Sequence, residues 1–215
     1  HTTSSAASDV YKRQYKIFGK SEWGSDIIEF LCHELSIEYD FVEIGENFKS
    51  DEAILNVNPL GRVPMVETPN GECLIESLAI VYHLTEEKSH LVPDTKNGMT
   101  YFHQIMAFMS SSIYPAILLY FHPDHYVSTE NTEDLVNRSK SILETYLNYL
   151  ENKIGEYIVG NSLSAADFYL FTLLFWLEED HFLENYPKIQ NFYNKMLQNQ
   201  TIMKVRKIQN ERKTV

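Results

Sequence analysis

Residues 58–77, NPLGRVPMVETPNGECLIES, decide how this chain folds. Turn-forming residues open the stretch, and a short apolar run at 63–66 follows with Pro64 inside it. Proline has no N–H group to donate to a sheet ladder, so Pro64 is expected in a strand's first residues, at a sheet edge or after a cis peptide. Residues 68–71, TPNG, are a strong turn signal that joins this run to a second one. The stretch therefore predicts an antiparallel hairpin that leads into a helix near Ser77.

The helix start at Glu76 and Ser77 has the features of a ligand site. A helix beginning near Ser77 directs free N–H groups and the positive end of its dipole outward beside a hydroxyl, which suits a ligand carboxylate. Glu76 would bind an ammonium group of the same ligand, and Val63 would offer a backbone edge to a peptide. Together these features predict a pocket for a small zwitterionic peptide. Each one alone also fits a purely structural role, as a capping serine, a solvated glutamate and a hairpin with a proline.

These residues resemble the glutathione S-transferase family, and the resemblance covers nearly all of the chain from Tyr15 onward. The matched pattern of a turn, Val-Pro, a hairpin and Glu-Ser comprises Asn58, Pro59, Gly61, Val63, Pro64, Glu76 and Ser77. In that family the proline is cis, the residue before it pairs with the cysteinyl backbone of glutathione, and Glu-Ser holds the γ-glutamyl end. The resemblance, which is greatest to bacterial, beta-type members, implies glutathione as co-substrate, no metal, and binding residues Trp23, Arg62, Val63, Pro64, Glu76 and Ser77.

The order of elements before the domain boundary predicts a thioredoxin-like domain. Residues 15–18 form a β-rich run, apolar residues recur at helical spacing from Ser25, and residues 39–44 form a second β-rich run. A short helix around 51–55, the hairpin, and a helix from Ser77 complete the order βαβαββα. The first two strands should be parallel, because a helix crosses over between them. The fold class is therefore an α/β thioredoxin-like domain followed by an all-α helical bundle.

The boundary between the two domains is placed in the polar segment 91–99, which contains a proline and a glycine. Residues 15–90 form the predicted glutathione-binding domain, and residues 100–210 form the all-α domain. Within the latter, Pro115 is expected to kink or interrupt the first helix. Ser164 and Asp167 predict a capping box at the start of a buried central helix, with a role in stability and not in catalysis.

Composition and charge argue against several classes of partner. Residues 4–14, SSAASDVYKRQ, look like a translated sequencing adapter, so residues 1–14 are treated as an adapter-derived or disordered leader. The formal net charge of −12 argues against nucleic acid and anionic membranes. No signal-peptide pattern and no apolar run of roughly 18 residues are recognised, so a cytoplasmic protein is expected. A solvated helix end is expected for the basic cluster Lys204, Arg206, Lys207, Arg212 and Lys213.

Catalysis would require the glutathione thiol, with a free pKa of about 8.5, to be held as thiolate. The helix that starts near Ser25 directs its N-terminus toward the sulfur, and a hydroxyl there would donate a hydrogen bond to it. Ser25 is the first candidate and Ser21 the second, although Ser25 also fits the role of a simple N-cap. The position at which beta-type members keep a cysteine falls on Gly24, which argues against a cysteine mechanism.

Tyr114 is the third catalytic candidate, because it falls where beta-type members carry a histidine near the ligand thiol. A half-buried structural tyrosine is the alternative for this position. The histidines, His122 and His125 among them, share no metal-ligand spacing. Neither do Cys32 and Cys73, which are expected to be buried thiols.

Two functions of different classes follow. The leading prediction is a cytoplasmic, homodimeric glutathione transferase of the detoxifying kind, which joins glutathione to a small hydrophobic electrophile or uses it in thiol-dependent reduction. The alternative is a non-catalytic protein of the same fold, similar to the stringent starvation proteins, that serves as a protein-interaction module. Gly24 favours the alternative, whereas the Val63-Pro64 and Glu76-Ser77 elements favour glutathione binding.

Overall fold

The computed structural model of the chain describes residues 14–45, 47–86 and 89–213, so all but the last residue of the predicted leader lies outside it. The N-terminal half has the predicted order βαβαββα. Its elements are β1 (Tyr15–Gly19), α1 (Ser25–Glu34), β2 (Tyr39–Glu43), α2 (Glu52–Val57), β3 (Met65–Glu67), β4 (Cys73–Ile75) and α3 (Ser77–Thr85).

The four strands form one mixed sheet in the order β2-β1-β3-β4. β1 and β2 are parallel, as the strand-helix-strand unit predicts, and β3 is antiparallel to both β1 and β4. Ile17 and Val66 are opposite each other at the centre of the sheet and are fully buried. Cys32 on α1 is buried as expected, but Cys73 is exposed because it begins the edge strand β4, so the expectation of a buried thiol is wrong there.

The remaining elements of the described chain are helical. They are α4 (Lys96–Phe108), a π-helical turn (Met109–Ile113), α5 (Tyr114–Phe121), α6 (Thr132–Glu151), α7 (Ala165–Glu178), α8 (Pro187–Leu197) and α9 (Gln200–Lys213), together with short 3₁₀ turns. α4 begins earlier than the predicted Thr100, because the Thr95 side chain caps it by accepting a hydrogen bond from the Gly98 N–H at 3.1 Å. α7 is the buried central helix that the sequence predicts.

A π-helical turn just before Pro115 interrupts the regular α-helical hydrogen bonding of the first long helix without ending the helix. The π-helical turn ends directly before Tyr114, so α4 and α5 form one continuous helix, Lys96–Phe121, and Tyr114 occupies the junction. This helix has 26 residues, and a stretch of 18 residues within it has a mean hydropathy of 1.3, so it meets the length and composition of a membrane span. The sequence reading missed this run, although core helices of globular proteins meet the same criterion and the support for a span is weak.

The C-terminal helix corrects the expectation for the basic cluster. Lys204, Lys207 and Lys213 are exposed as expected. The side chains of Arg206 and Arg212 are instead only about one-fifth exposed and pair with two buried carboxylates on α1. A solvated helix end is therefore the wrong interpretation for these two arginines, because their charges are neutralised inside the packed interface between α9 and α1.

Candidate functional site

One end of the candidate cleft is the N-terminus of α3. Glu76 precedes the helix with φ +68° and ψ 112°, a conformation that side chains with a Cβ rarely adopt outside functional positions. The Glu76 side chain is exposed and does not cap the helix. The amide groups of the first turn therefore remain available to an anion beside the half-buried Ser77.

Tyr169 lies beside this helix start and was missed by sequence reasoning. Its hydroxyl shares a hydrogen bond of 2.8 Å with Ser77 Oγ, so α7 of the helical half contacts the N-terminus of α3 directly. Burial raises the pKa of Tyr169 to about 12, and the nearby Glu76 carboxylate adds to this effect. The phenol is therefore neutral at physiological pH and can donate a hydrogen bond. The sequence signal was a tyrosine in an apolar helix, since a buried tyrosine usually finds a polar partner for its hydroxyl.

The middle of the cleft is the segment before β3. The Val63-Pro64 peptide is cis, as the sequence analysis predicts. The sheet ladder begins only at Met65, and the N–H and C=O groups of Val63 form no hydrogen bond with the described residues. A peptide edge with two unpaired groups can pair with an extended ligand backbone. Arg62 is exposed beside it, and its carbonyl accepts a hydrogen bond of 2.8 Å from Asn58 Nδ2.

The other end of the cleft is the β1–α1 loop, residues 20–24. Ser25, the first residue of α1, follows this loop and is fully buried. Its Oγ donates to the Lys20 carbonyl at 2.7 Å and accepts from the Lys20 N–H at 3.1 Å. Gly19 permits this packing, because a Cβ there would lie 2.2 Å from the Ser25 Cβ. The single O–H proton of Ser25 is thus used in the hydrogen bond to the Lys20 carbonyl, and this bond joins the two ends of the loop. Donation to a ligand sulfur remains a prediction that requires this bond to break.

Ser21 offers a different hydroxyl. Its side chain is 4% exposed, and its Oγ has no hydrogen-bond partner among the described residues. Leaving a buried hydroxyl unsatisfied costs about 1 to 3 kcal/mol, so such groups usually have a structural or functional reason. Ser21 therefore has a free proton at the end of the cleft where sequence analysis places the ligand sulfur.

Gly24 and Tyr114 meet at the same end. A Cβ added at Gly24 would lie 2.6 Å from the Tyr114 hydroxyl oxygen and 3.4 Å from Pro64 Cδ. The Tyr114 hydroxyl therefore fills the space of any side chain at position 24. The ring of Tyr114 packs against Trp176 with centroids 5.2 Å apart and ring planes inclined at 34°. Burial raises the pKa of Tyr114 above its ordinary value, with further contributions from Tyr169 and Glu76, so the phenol keeps its proton at neutral pH.

Aromatic side chains border this end. Trp23 is 40% exposed, packs edge-to-face against Phe48 with centroids 6.0 Å apart, and has the Lys20 ammonium 5.3 Å from its ring centroid. On the opposite side Trp176 packs on Tyr114, and its Nε1–H donates to the Glu22 carbonyl at 2.7 Å.

The α5–α6 connection contributes polar aromatic groups. Tyr126 is exposed and close enough to Tyr114 to raise its pKa. His122 and His125 stack with centroids 5.2 Å apart, and partial burial lowers the pKa of His122. The described residues contain no group of three or more histidine, cysteine, aspartate or glutamate side chains placed to hold a metal.

The structure thus brings several of the predicted site residues together where the helical half meets the thioredoxin-like half. Gly24, Pro64 and Tyr114 meet at one end, while Glu76 and Ser77 lie at the other with Tyr169 between them. Ser25 is buried in the loop closure and does not present a free proton. The residues that sequence reasoning missed are Tyr169 and Trp176, both on the apolar helix α7.

Comparison with known proteins places the chain among glutathione S-transferases. Residues 14–86 match the family model for the glutathione S-transferase N-terminal domain, and residues 116–207 match that for the C-terminal domain. The uncharacterized GST-like protein YncG of Escherichia coli is 25% identical over 75% of this chain and 81% of its own length. Elongation factor 1-gamma of Artemia salina is 32% identical, over 62% of this chain and 30% of its own length.

The fold is also that of solved structures. A glutathione transferase homologue from Sulfitobacter with bound glutathione has a TM-score of 0.84 and 22% identity, covering 91% of this chain and 98% of that chain. The four-stranded sheet with its helices and the helical half that follows both agree with this fold. Because the two domain models cover most of the described residues, this chain belongs to the glutathione S-transferase family.

Proposed function

We propose that the protein is a glutathione transferase that conjugates the glutathione thiol to small hydrophobic electrophiles. The observation that carries the proposal is the Tyr114 hydroxyl, which lies 2.6 Å from the Cβ position of Gly24 and so takes the place of a cysteine side chain. With no thiol at position 24, the cleft offers hydroxyl donors to the ligand sulfur. This favours conjugation over reduction, because a mixed disulfide at this position has no protein sulfur to form on.

The proposed chemistry is the stabilisation of a thiolate. A free thiol with a pKa of about 8.5 is mostly protonated at neutral pH, and hydrogen bonds to its anion lower that value. Tyr114 can donate one bond, since burial keeps its phenol protonated. Ser21 can donate a second through its unpartnered hydroxyl, and the N-terminus of α1 adds a favourable dipole. The thiol proton passes to solvent, and the thiolate attacks the electrophilic carbon, so that a C–S bond forms while the leaving group departs with the electron pair of the bond that breaks.

The rest of the ligand would be held along the thioredoxin-like half. Ser77 and the first-turn amides of α3 would bind the γ-glutamyl carboxylate, and Glu76 would bind its ammonium group. The unpaired backbone groups of Val63 would pair with the cysteinyl residue. Trp23 and Arg62, both exposed, are assigned to the outer border of the ligand. The glutathione bound in a homologue of the same fold supports this assignment.

The electrophile would occupy the aromatic side of the cleft. Tyr114, Trp176 and Tyr126 offer ring faces and edges there, which suit a flat apolar substrate. We also propose a cytoplasmic homodimer with a role in detoxification, as in the leading interpretation of the sequence. The net charge of −12 supports a small-molecule substrate over nucleic acid or an anionic membrane.

A second candidate is a non-catalytic interaction module of the same fold. Gly24 in place of cysteine supports it, as does the similarity to a relative named as an elongation factor. The two candidates differ in the state of the bound thiol. A module needs the cleft only as a surface, whereas an enzyme must ionise glutathione.

The test is calorimetric titration with glutathione and with S-methylglutathione, followed by ultraviolet absorbance of the bound thiolate against pH. We expect both ligands to bind. With glutathione, we expect the bound thiol to be ionised at neutral pH and the protein to turn over a panel of aromatic electrophiles. Binding with a fully protonated thiol would support the interaction module. Absence of binding to either ligand would refute the glutathione site itself.

A further inference from the structure

The β1–α1 loop contains a backbone conformation that needs external support. Glu22, in the middle of the loop, has φ +69°, a left-handed conformation that is unfavourable for a residue with a Cβ. Such conformations persist where the surroundings hold them, and they cluster at functional segments. The neighbours of Glu22 in the loop include Ser21 and Gly24, which form the sulfur end of the cleft.

Three contacts hold Glu22 in place. Its N–H donates to Asp26 Oδ1 at 2.9 Å, and its carbonyl accepts from Trp176 Nε1 at 2.7 Å. Its carboxylate pairs with Lys213 Nζ at 2.9 Å on the surface, where water screens the interaction. The backbone contacts are therefore the ones that define the loop, and one of them depends on the position of the Asp26 carboxylate.

Asp26 is in turn held by the C-terminal helix. Arg206 Nη1 donates to Asp26 Oδ2 at 2.6 Å, and Gln209 Nε2 donates to Oδ1 at 2.9 Å. Arg206 and Gln209 are three residues apart on one face of α9, and Arg206 Nη1 also donates to Gln209 Oε1 at 2.9 Å. The guanidinium lies 4.3 Å from the ring centroid of Phe175, which restricts it further. Asp26 thus connects α9 to the loop, because the carboxylate that Arg206 and Gln209 hold also accepts the Glu22 N–H.

We propose that Arg206 and Gln209 are positioning residues for the sulfur end of the cleft, acting through Asp26 on the Glu22 backbone. This inference rests on the proposed function for the reaction it serves. It assigns to the C-terminal helix a role that the family resemblance and the comparisons do not assign. The consequence is that loss of the contact should disturb ionisation of the thiol more than binding of glutathione, whose other end is held at α3.

A neighbouring ion pair on the same two helices provides a matched control. Arg212 Nη2 donates to both oxygens of Glu29, at 2.6 and 2.8 Å, and Glu29 is as fully buried as Asp26. The exposed fractions of Arg206 and Arg212 are 20% and 21%. Glu29 bonds to Tyr39 and Gln209 but to no residue of the loop. The two pairs are thus alike in burial, but only Asp26 bonds directly to the loop, whereas Glu29 is connected to Asp26 through Gln209.

The test compares Arg206→Gln with Arg212→Gln. Hydrogen exchange of the Glu22 amide in the ligand-free protein should accelerate by about tenfold or more in Arg206→Gln and stay near wild type in Arg212→Gln. In the glutathione reaction, kcat should fall by roughly tenfold in Arg206→Gln with a raised pKa of the bound thiol, while the glutathione Kd changes by less than about twofold. Gln209→Ala should show a smaller effect of the same kind.

Either single variant leaves a buried carboxylate unpaired and can fail to fold, so two double variants are made in parallel. Asp26→Asn with Arg206→Gln removes both charges of the first pair and keeps a side-chain oxygen to accept the Glu22 N–H, and Glu29→Gln with Arg212→Gln removes both charges of the second. Faster Glu22 exchange in the first double variant alone would uphold the proposal. Equal exchange in the two, or unchanged exchange in the first, would overturn it. A wild-type protein without turnover would refute the proposed function, while the exchange result would still decide the loop contact.

Discussion

The two ends of the cleft are built in different ways. The glutamyl end, Glu76 and Ser77, is local: a turn, a hairpin and a helix start follow each other along the chain and leave first-turn amides unpaired. The sulfur end is assembled across the molecule, since Tyr114 comes from the helical half and meets Gly24 of the β1–α1 loop. One end is therefore a property of backbone geometry, and the other depends on which side chains two distant segments present.

This difference implies different sensitivities to substitution. Amide groups at a helix start persist whatever the side chains are, so the glutamyl end can keep its affinity through much change in sequence. A hydroxyl that stabilises an anion acts only at the correct distance, and loss of a single donor can abolish most of the rate. The sulfur end is thus where members of one fold can gain, exchange or lose chemistry.

Tyr114→Phe is expected to have the largest effect on turnover. Removing the phenol should raise the pKa of the bound thiol and lower turnover by about a hundredfold, because one preorganised donor to a developing or stable anion supplies roughly 3 kcal/mol. The glutathione Kd should change little, since the glutamyl end is intact. Thiolate absorbance against pH and steady-state kinetics measure the two effects separately.

Tyr120→Phe is the matched control for this variant. Tyr120 lies on the same helix, α5, and its hydroxyl donates to Asp180 at 2.8 Å, outside the cleft contacts described above. Its loss should leave the thiol titration unchanged. Identical titration curves for wild type and Tyr114→Phe would assign the sulfur donor elsewhere and remove the main support for the proposed function.

The second largest effect is expected from variants at the other end of the cleft, Glu76 and Ser77. Glu76→Ala and Ser77→Ala should each weaken glutathione binding by about 1 to 3 kcal/mol, because each removes a charge-assisted partner of the ligand. The pKa of the thiol in the remaining complex should be unchanged. Calorimetry at protein concentrations near the Kd gives the affinities, and a shift of thiol pKa without a change of affinity would show that the two ends are not separable as described.

The local end was predictable from sequence because its signals are adjacent. The turn at 68–71, the proline within an apolar run and the Glu-Ser pair each allow more than one interpretation alone, but adjacent in the chain they agree on a hairpin that leads into a helix start. The order βαβαββα was predicted from such local patterns, and the cis peptide before Pro64 was predicted from the family resemblance. The capping box of Ser164 and Asp167 is likewise a local pattern, and the structure contains it.

The assembled end was only partly predictable, because its contacts join segments far apart in the chain. Its position at the start of a predicted helix made Ser25 a candidate, but only packing shows that its proton is used by the Lys20 carbonyl. Arg206 and Arg212 read as solvated because basic residues near a helix end usually are. Their burial follows from Asp26 and Glu29 on α1, two carboxylates whose inward positions no local pattern reveals.

The third prediction separates the two serines of the sulfur end. Ser21→Ala should lower turnover by roughly tenfold, as a lost hydrogen bond to the thiolate, and should stabilise the ligand-free protein, because an unsatisfied buried hydroxyl is removed. Ser25→Ala should leave the thiol pKa unchanged and destabilise the fold by about 1 to 3 kcal/mol, because the Lys20 N–H and C=O lose their partner. Thermal unfolding and thiolate titration of both variants test the pair. The reverse pattern would restore Ser25 as the donor.

Ser164→Ala is expected to have the smallest effect, because Ser164 belongs to neither end of the cleft. The Ser164 hydroxyl donates to Asp167 Oδ2 at 2.7 Å, and the same oxygen accepts the Ser164 N–H while Oδ1 accepts the Ile158 N–H. Asp167 would keep its two backbone donors in the variant, so the start of α7 should remain formed with a loss of about 1 kcal/mol.

Because α7 carries Tyr169 and Trp176 into the cleft, Ser164→Ala also tests how far the two ends depend on general stability. The loss is small against a total stability of roughly 5 to 15 kcal/mol, so the helix stays in place at 25 °C and both side chains keep their contacts. Glutathione affinity and thiol pKa should therefore match wild type while the melting temperature falls. A shift of the thiol pKa with unchanged affinity would mean that the sulfur end responds to small movements of α7. In that case the effects of Tyr114→Phe and Ser21→Ala would have to be corrected for movement of that helix.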